Sequence, residues 1–151
     1  MQLASPADIE TLIDIEKSVP ESDTYSSMLD EKEWEKELAE YTVYLIKRGA
    51  LAVGSIAYAE KEPSHVYISG IIVRPEYQGK GIATHAMKEV MAKYPNATRI
   101  DLVTHPDNPA LGLYQSLGFE VEGEPMENYF GDGQPRLRLV RSGTAGNANP
   151  Q

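Results

Sequence analysis

The sequence predicts an α+β domain, a mixed and mostly antiparallel sheet flanked by about four helices. Two observations lead there. Three β-rich runs, "TVYLIK" (42–47), "ALAVGSIAYAE" (50–60) and "HVYISGIIV" (65–73), follow one another across the short breaks "RG" and "KEPS", the spacing of an antiparallel meander. The hydrophobic period then changes to a helical one at a glycine turn, "QGKGIA" (78–83), and helix, strand, helix and hairpin follow in that order.

The elements can be justified one by one. Ser5, Pro6 and Asp8 stand where an N-cap, a first helical residue and a capping acid belong, and Ile9, Leu12 and Ile13 follow on one face. That helix should end near Val19 and Pro20. "SVPESDTYSSML" reads as an irregular connector. Asp30 with Glu33 opens a second helix, with Trp34, Leu38 and Tyr41 on one stripe as packing residues and the rest of "DEKEWEKELAE" as a solvated face. After the glycine turn Ala83, Met87, Val90, Met91 and Tyr94 recur at helical steps until Pro95 stops them. "TRIDLVT" (98–104) is a strand. Asp107 or Asn108 caps a fourth helix with Pro109 at its first position, Ala110, Leu113, Tyr114 and Leu117 inward, and Gly118 ending it. "FEVEGEPMENYF", "GDGQ" and "PRLRLVR" form a closing hairpin. A helical crossover joins the strand before the glycine turn to the strand after it, so the two should be parallel neighbours.

Length and composition bound the rest. A chain of 151 residues fits one domain, here residues 1–141, with "SGTAGNANPQ" (142–151) too polar to fold and expected to form a disordered tail. A net charge of −9 opposes nucleic acid and suits a cationic partner. No cysteine is present to form a disulfide, a thiolate metal site or a Cys nucleophile. His65, His85 and His105 lie on different elements without metal spacing, so surface or turn roles are expected and no metal. No apolar run approaches the roughly 20 residues of a membrane span, and "MQLASPADIE" lacks a secretory pattern. The expected location is cytoplasmic, with no membrane partner, as a monomer or homodimer.

The glycine turn is where chemistry concentrates. A glycine-rich loop feeding a helix start aims unpaired N–H groups and the positive end of the helix dipole at one place, an anion cradle. Between residues 74 and 93 the charges are Arg74, Lys80, Lys88 and Lys93 against Glu76 and Glu89, a local excess of two positive charges in an acidic chain. "GKGIATH" fits neither a Walker loop nor a dinucleotide fingerprint.

Gln78-Gly79-Lys80-Gly81-Ile82-Ala83 matches the Q/R-x-x-G-x-G/A signature of the GCN5-related N-acetyltransferase (GNAT) superfamily. "NPALGLYQSLGF" (108–119) resembles that family's N-x-x-A-x-x-L-Y-x-x-x-G-F. From about residue 3 to residue 141 the chain resembles the family, most closely its ribosomal-protein and other N-terminal acetyltransferase-like members. The resemblance implies a GNAT fold with a splayed parallel strand pair at the acetyl-CoA site, acetyl-CoA as cosubstrate without a metal, and an amine as acceptor. It also implies that Gln78, Gly79, Lys80, Gly81, Ile82, Ala83 and Thr84 hold the pyrophosphate, and that Ile71, Ile72 and Val73 offer main-chain groups to the pantetheine arm and the oxyanion. Gly70 would permit the bulge that splays the strand. Asn108 would contribute to the cofactor site. Tyr114 would be catalytic, a phenol of reference pKa about 10 giving its proton to a leaving thiolate whose parent thiol lies at about 8.5.

Two departures bear on the acceptor. Asn108 to Tyr114 is one residue shorter than in the family, so either Asn108 keeps its role or Asp107 takes it. Val103 stands where N-terminal acetyltransferases often carry an acidic or His base. An α-amine of pKa about 8 is roughly one-tenth neutral at pH 7, whereas deprotonating a lysine amine at about 10.4 costs roughly 3.3 kcal/mol more. A site without a strong base therefore suits a peptide N-terminus. The hairpin "ENYFGDGQPRLRLV" is similar to the substrate hairpin of such enzymes, with Tyr129 as its contact. Glu21 and Tyr25 in the connector are further acceptor-binding candidates, and Asp101, His65 or Tyr67 could act as water-relayed bases. The alternatives are a small amine, such as a polyamine or antibiotic, and a non-catalytic acyl-CoA-binding or interaction domain, against which Tyr114 argues.

Overall fold

A computed structural model describes residues 1–22 and 27–142. Its strands are β1 (Gln2–Leu3), β2 (Thr42–Arg48), β3 (Leu51–Glu62), β4 (His65–Val73), β5 (Arg99–Thr104), β6 (Glu120–Met126) and β7 (Arg136–Ser142). They form one sheet in the order β1-β2-β3-β4-β5-β7-β6. Every neighbouring pair is antiparallel except β4 and β5, which are parallel and joined by the expected helical crossover. β4 occupies its predicted span. β1 has no counterpart in the sequence reading, since its two residues are exposed and carry no periodicity.

The two faces of the sheet carry two cores. On one face Val53, Ile56, Val66, Ile68, Ile100 and Leu102 pack with Met87 and Val90 of α3 (Ile82–Ala92) and Tyr114 of α4 (Leu111–Ser116). On the other, Val43, Leu45, Ala57 and Ile72 pack with Leu12 and Ile15 of α1 (Ile9–Ser18) and Trp34 of α2 (Glu31–Glu40). Ile15 is wholly buried and Ile13 only partly, so the inward face of α1 is shifted from the expected one. Residues Pro6–Asp8 form a 3-10 turn before α1, and the Ser5 N–H donates to the Asp8 carboxylate at 2.9 Å. The Asp30 carboxylate caps α2, accepting the Lys32 N–H at 2.8 Å.

Two irregularities of β4 make an opening. Opposite β3 the register steps from Ala57↔Gly70 to Tyr58↔Ile68, leaving Ser69 as the extra residue of a bulge. Opposite β5, pairing runs from His65↔Arg99 to Ile68↔Leu102 and stops there. Beyond the bulge, β4 therefore presents main-chain groups that β5 does not use. β3 stays close to β4 on the other side, because a Cβ on Gly54 would collide with the Ile72 carbonyl oxygen and lie 3.2 Å from the Val73 Cα.

Candidate active site

Where β4 and β5 part there is a cleft of about 640 Å³. Its walls come from both faces of the sheet: Val19, Pro20 and Ser22 from the connector after α1, and Ala110, Leu113 and Tyr114 from the α4 region. The cleft therefore passes through the sheet at the split.

The sequence-predicted residues gather here with few exceptions. Ile71, Ile72 and Val73 form one wall, Gln78, Gly79, Gly81, Ile82, Ala83 and Thr84 the mouth, and Asn108 and Tyr114 the far side. Gly81 caps α3 in a left-handed conformation with φ of 80°, and Gly79 has φ of 76°. A Cβ at either position would meet nothing of the protein within 4 Å. Their bareness thus serves the turn and the space outside it rather than internal packing. The first intrahelical bond of α3 is His85 N–H to Gly81 O at 3.0 Å. The N–H groups of Ile82, Ala83 and Thr84 precede it and have no partner within the helix.

The turn is braced by Gln78, which donates its side-chain amide to the Val73 carbonyl at 2.9 Å. Arg74 turns away from the mouth. Its Nε donates to Ala52 O at 2.8 Å and its Nη2 pairs with Asp14 of α1 at 2.9 Å. The positive excess read from residues 74–93 is reduced at the mouth accordingly. Lys80 is also absent from the cleft and lines an adjacent hollow of about 350 Å³ with Lys47, Arg48 and His85.

Asn108 is fixed by both ends of its amide, with Nδ2 donating to Thr104 Oγ1 at 2.7 Å and Oδ1 accepting the Ala110 N–H at 2.8 Å. This local turn delays α4 until Leu111, later than a cap at residue 107 or 108 would start it. Gly118 ends α4 with φ of 95°, as expected. Tyr114 is 6% exposed, with its ring edge-on to Phe119 at 6.3 Å. Burial pushes its phenol up to about 12. His105 is buried rather than at the surface. Its Nδ1 accepts the Asp107 N–H at 3.0 Å, so the proton sits on Nε2, which bonds Gln134 Oε1 at 3.0 Å and ties this turn to the β6–β7 hairpin.

The acceptor candidates are dispersed. Tyr25 lies outside the described residues. Glu21 is exposed and its carboxylate accepts the Ser27 N–H at 3.2 Å; its neighbour Ser22 lines the cleft. Tyr129 stands on the β6–β7 hairpin away from the cleft lining and accepts from Arg138 at 3.3 Å. Val103 lies on the same sheet face as Asp101, which is buried and bonded to His65 at 2.9 Å, Arg138 at 3.0 Å and Arg99 at 3.3 Å.

On that face the structure shows a cluster the sequence reading missed. Ser69, the bulge residue, donates its hydroxyl to Glu37 of α2 at 2.9 Å. Burial raises the Glu37 carboxyl above its ordinary value, partly offset by the Ser69 hydrogen bond. The Lys61 ammonium lies 4.5 Å from the centre of the Tyr41 ring and 5.8 Å from that of Tyr67. It also donates to Tyr41 Oη at 3.1 Å. Burial pushes the Tyr67 phenol up to about 12, with the Tyr129 and Tyr41 phenols adding to it. Among the described residues, no group of three or more His, Cys, Asp or Glu could hold a metal, and no helix is long and apolar enough to cross a membrane.

A glycine mouth beneath a helix start, a split parallel pair and a buried tyrosine opposite are what the GNAT resemblance implies. A sequence model of the Acetyltransferase (GNAT) family matches residues 8–119, and the chain belongs to that family. Over 70 residues it is 44% identical to the spermidine N(1)-acetyltransferase of Escherichia coli K12, a stretch covering 44% of this chain and 38% of that relative. Its fold matches the ribosomal-protein-S18-alanine N-acetyltransferase of Escherichia coli with a TM-score of 0.77 at 17% identity, covering 99% and 97% of the two chains. It also matches a GNAT family acetyltransferase from Elizabethkingia anophelis with acetyl-CoA bound, with a TM-score of 0.66 at 20% identity over 75% and 83% of the chains.

Proposed function

We propose that the protein is an acetyl-CoA-dependent N-acetyltransferase whose acceptor is a small cationic primary amine of the polyamine class, acetylated by direct attack in a ternary complex. The observation that carries the acceptor class is Lys61. Its ammonium rests on the Tyr41 and Tyr67 rings, on the sheet face shared by Glu37 and Ser69, so this face suits an alkylammonium, for which an acceptor amine competes with Lys61. Aromatic faces and carboxylates stabilise such a cation once water is thinned around it. The net charge of −9 draws a polycation toward the protein. The 44% identity to a spermidine N(1)-acetyltransferase supports the same class over the stretch it covers.

In this reading the Ile82, Ala83 and Thr84 N–H groups and the bare Gly79 and Gly81 receive the pyrophosphate, and the free edge of Ile71–Val73 binds the pantetheine arm. A main-chain N–H of that edge polarises the thioester carbonyl. Asn108 shapes the far wall through Thr104, and Tyr114 protonates the departing thiolate. Against an aqueous thiol at about 8.5, a phenol near 12 is a reluctant donor, by roughly 5 kcal/mol. Burial raises both groups, so the gap narrows once the thioester fills the cleft.

A peptide α-amine is the second reading, favoured by the apolar Val103 at the place of a strand base. Thiol release from acetyl-CoA, measured with spermidine, an alanine-starting peptide and an aminoglycoside, tests the choice. Spermidine is expected to give the highest kcat/KM. A higher value for the peptide would overturn the polyamine reading, and acetyl-CoA binding without turnover on any acceptor would favour a non-catalytic domain.

A further inference from the structure

We propose that Glu37, held by the Ser69 hydroxyl at the bulge of β4, is the group that takes the proton from the acceptor ammonium; this rests on the amine acetyltransferase reading above. Ser69 is the first residue of β4 beyond its last pair with β5, Ile68↔Leu102, and lies two residues before Ile71, where the cleft lining begins. Its bond to Glu37 places a carboxylate from α2 at the start of the free edge, outside the cleft lining itself and on the sheet face opposite α3 and α4.

The other candidates on this face are committed elsewhere. Asp101 is held by His65, Arg99 and Arg138, and His65 is in turn engaged with Asp101 through Nε2 at 2.9 Å. Tyr67, with its phenol raised to about 12, stays protonated at neutral pH and offers no base. Val103 has no titratable group. Glu37 is half-buried and feels Glu40 from its own helix, Lys61 from β3 and Ser69 from β4, with burial the largest influence. The same loss of water that raises a carboxyl lowers an ammonium, so the two approach each other when the acceptor enters.

The proton balance is complete. The ammonium gives one proton to the Glu37 carboxylate, the neutral nitrogen bonds the acetyl carbon, and the carbon–sulfur bond breaks. Tyr114 protonates the thiolate and is restored by the second proton leaving the nitrogen, while Glu37 returns its proton to solvent.

The test is the pH profile of kcat/KM on whichever of spermidine and the alanine-starting peptide wild type acetylates faster. Glu37→Gln should lower kcat/KM about a hundredfold at neutral pH and replace the acidic limb by one at higher pH that follows the acceptor amine's own neutral fraction, with the acetyl-CoA-induced rise in Tm retained. Two further variants move the limb in opposite directions. Ser69→Ala removes a bond to the charged carboxylate and should shift the limb to higher pH. Glu40→Gln removes a like charge and should shift it to lower pH. A merely structural Glu37 would give neither shift. Activity in Glu37→Gln within threefold of wild type with an unchanged limb overturns the assignment to Glu37 alone, and so does a limb unmoved in both other variants. No thiol release by wild type with spermidine, the peptide or the aminoglycoside would refute the transferase reading beneath it.

Discussion

Gln78 donates its side-chain amide to the carbonyl oxygen of Val73 at 2.9 Å, so the last residue of β4 and the first residue of the glycine signature move as one. The bond joins two walls of the cleft, the free edge of β4 and the mouth below α3. A signature glutamine suggests a contact with the ligand, but here its side chain braces the backbone that receives it.

Gln78→Ala should therefore loosen the turn without removing a charge. A neutral hydrogen bond is worth about 1 kcal/mol net, which corresponds to roughly fivefold in affinity. Acetyl-CoA affinity, measured by calorimetry, should fall by about that factor, and Gln78→Glu should weaken it further by setting a carboxylate against both the Val73 carbonyl and the phosphates. Wild-type affinity in Gln78→Ala would show that the turn holds its shape unaided.

Gly54 and Gly70 face each other's strands at the splay but bear different constraints. A Cβ at position 54 collides with the Ile72 carbonyl oxygen, whereas one at position 70 meets nothing within 4 Å. Gly54→Ala should cost about 2 kcal/mol as an overpacking change, lowering Tm by roughly 4–8 °C, and should weaken acetyl-CoA binding by pushing β4 into the cleft. Gly70→Ala should stay within about 0.5 kcal/mol of wild type. Thermal melts of both variants, with and without acetyl-CoA, check the ordering; equal losses would mean the bulge itself requires Gly70.

The sequence was readable where a structural need leaves a local mark. The span of β4, the two glycines before α3 and Gly118 after α4 each answer a constraint settled within a few residues. What it hid depends on distant partners. Arg74 reads as a phosphate-side cation until Asp14, sixty residues earlier, takes its guanidinium. The start of α4 moves because Asn108 spends its side chain on Thr104 and the Ala110 N–H. Glu37 is masked by the acidic run around it, although its spacing from buried Trp34, three residues on along the helix, was a signal that it leaves the solvated face. Tyr129 carries a familiar hairpin likeness, yet Arg138 and the register of β6 with β7 decide where it stands.

Tyr114 offers the sharpest separation of chemistry from packing. Its ring belongs to the core beside Phe119, so Tyr114→Phe keeps the packing and removes only the phenolic proton. Turnover should fall about a hundredfold, the scale of general acid catalysis, while acetyl-CoA still raises Tm as in wild type. The pH dependence follows from the direction of the shift. Burial raises the phenol to about 12, so its acid form persists across the neutral and mildly alkaline range and would be lost only as pH rises through that value. In wild type no alkaline limb belonging to Tyr114 should appear below about pH 11, whereas an unshifted phenol would begin to lose activity near about pH 9. Equal turnover of wild type and Tyr114→Phe on spermidine would make the tyrosine a core residue and move the thiolate's proton donor elsewhere in the cleft.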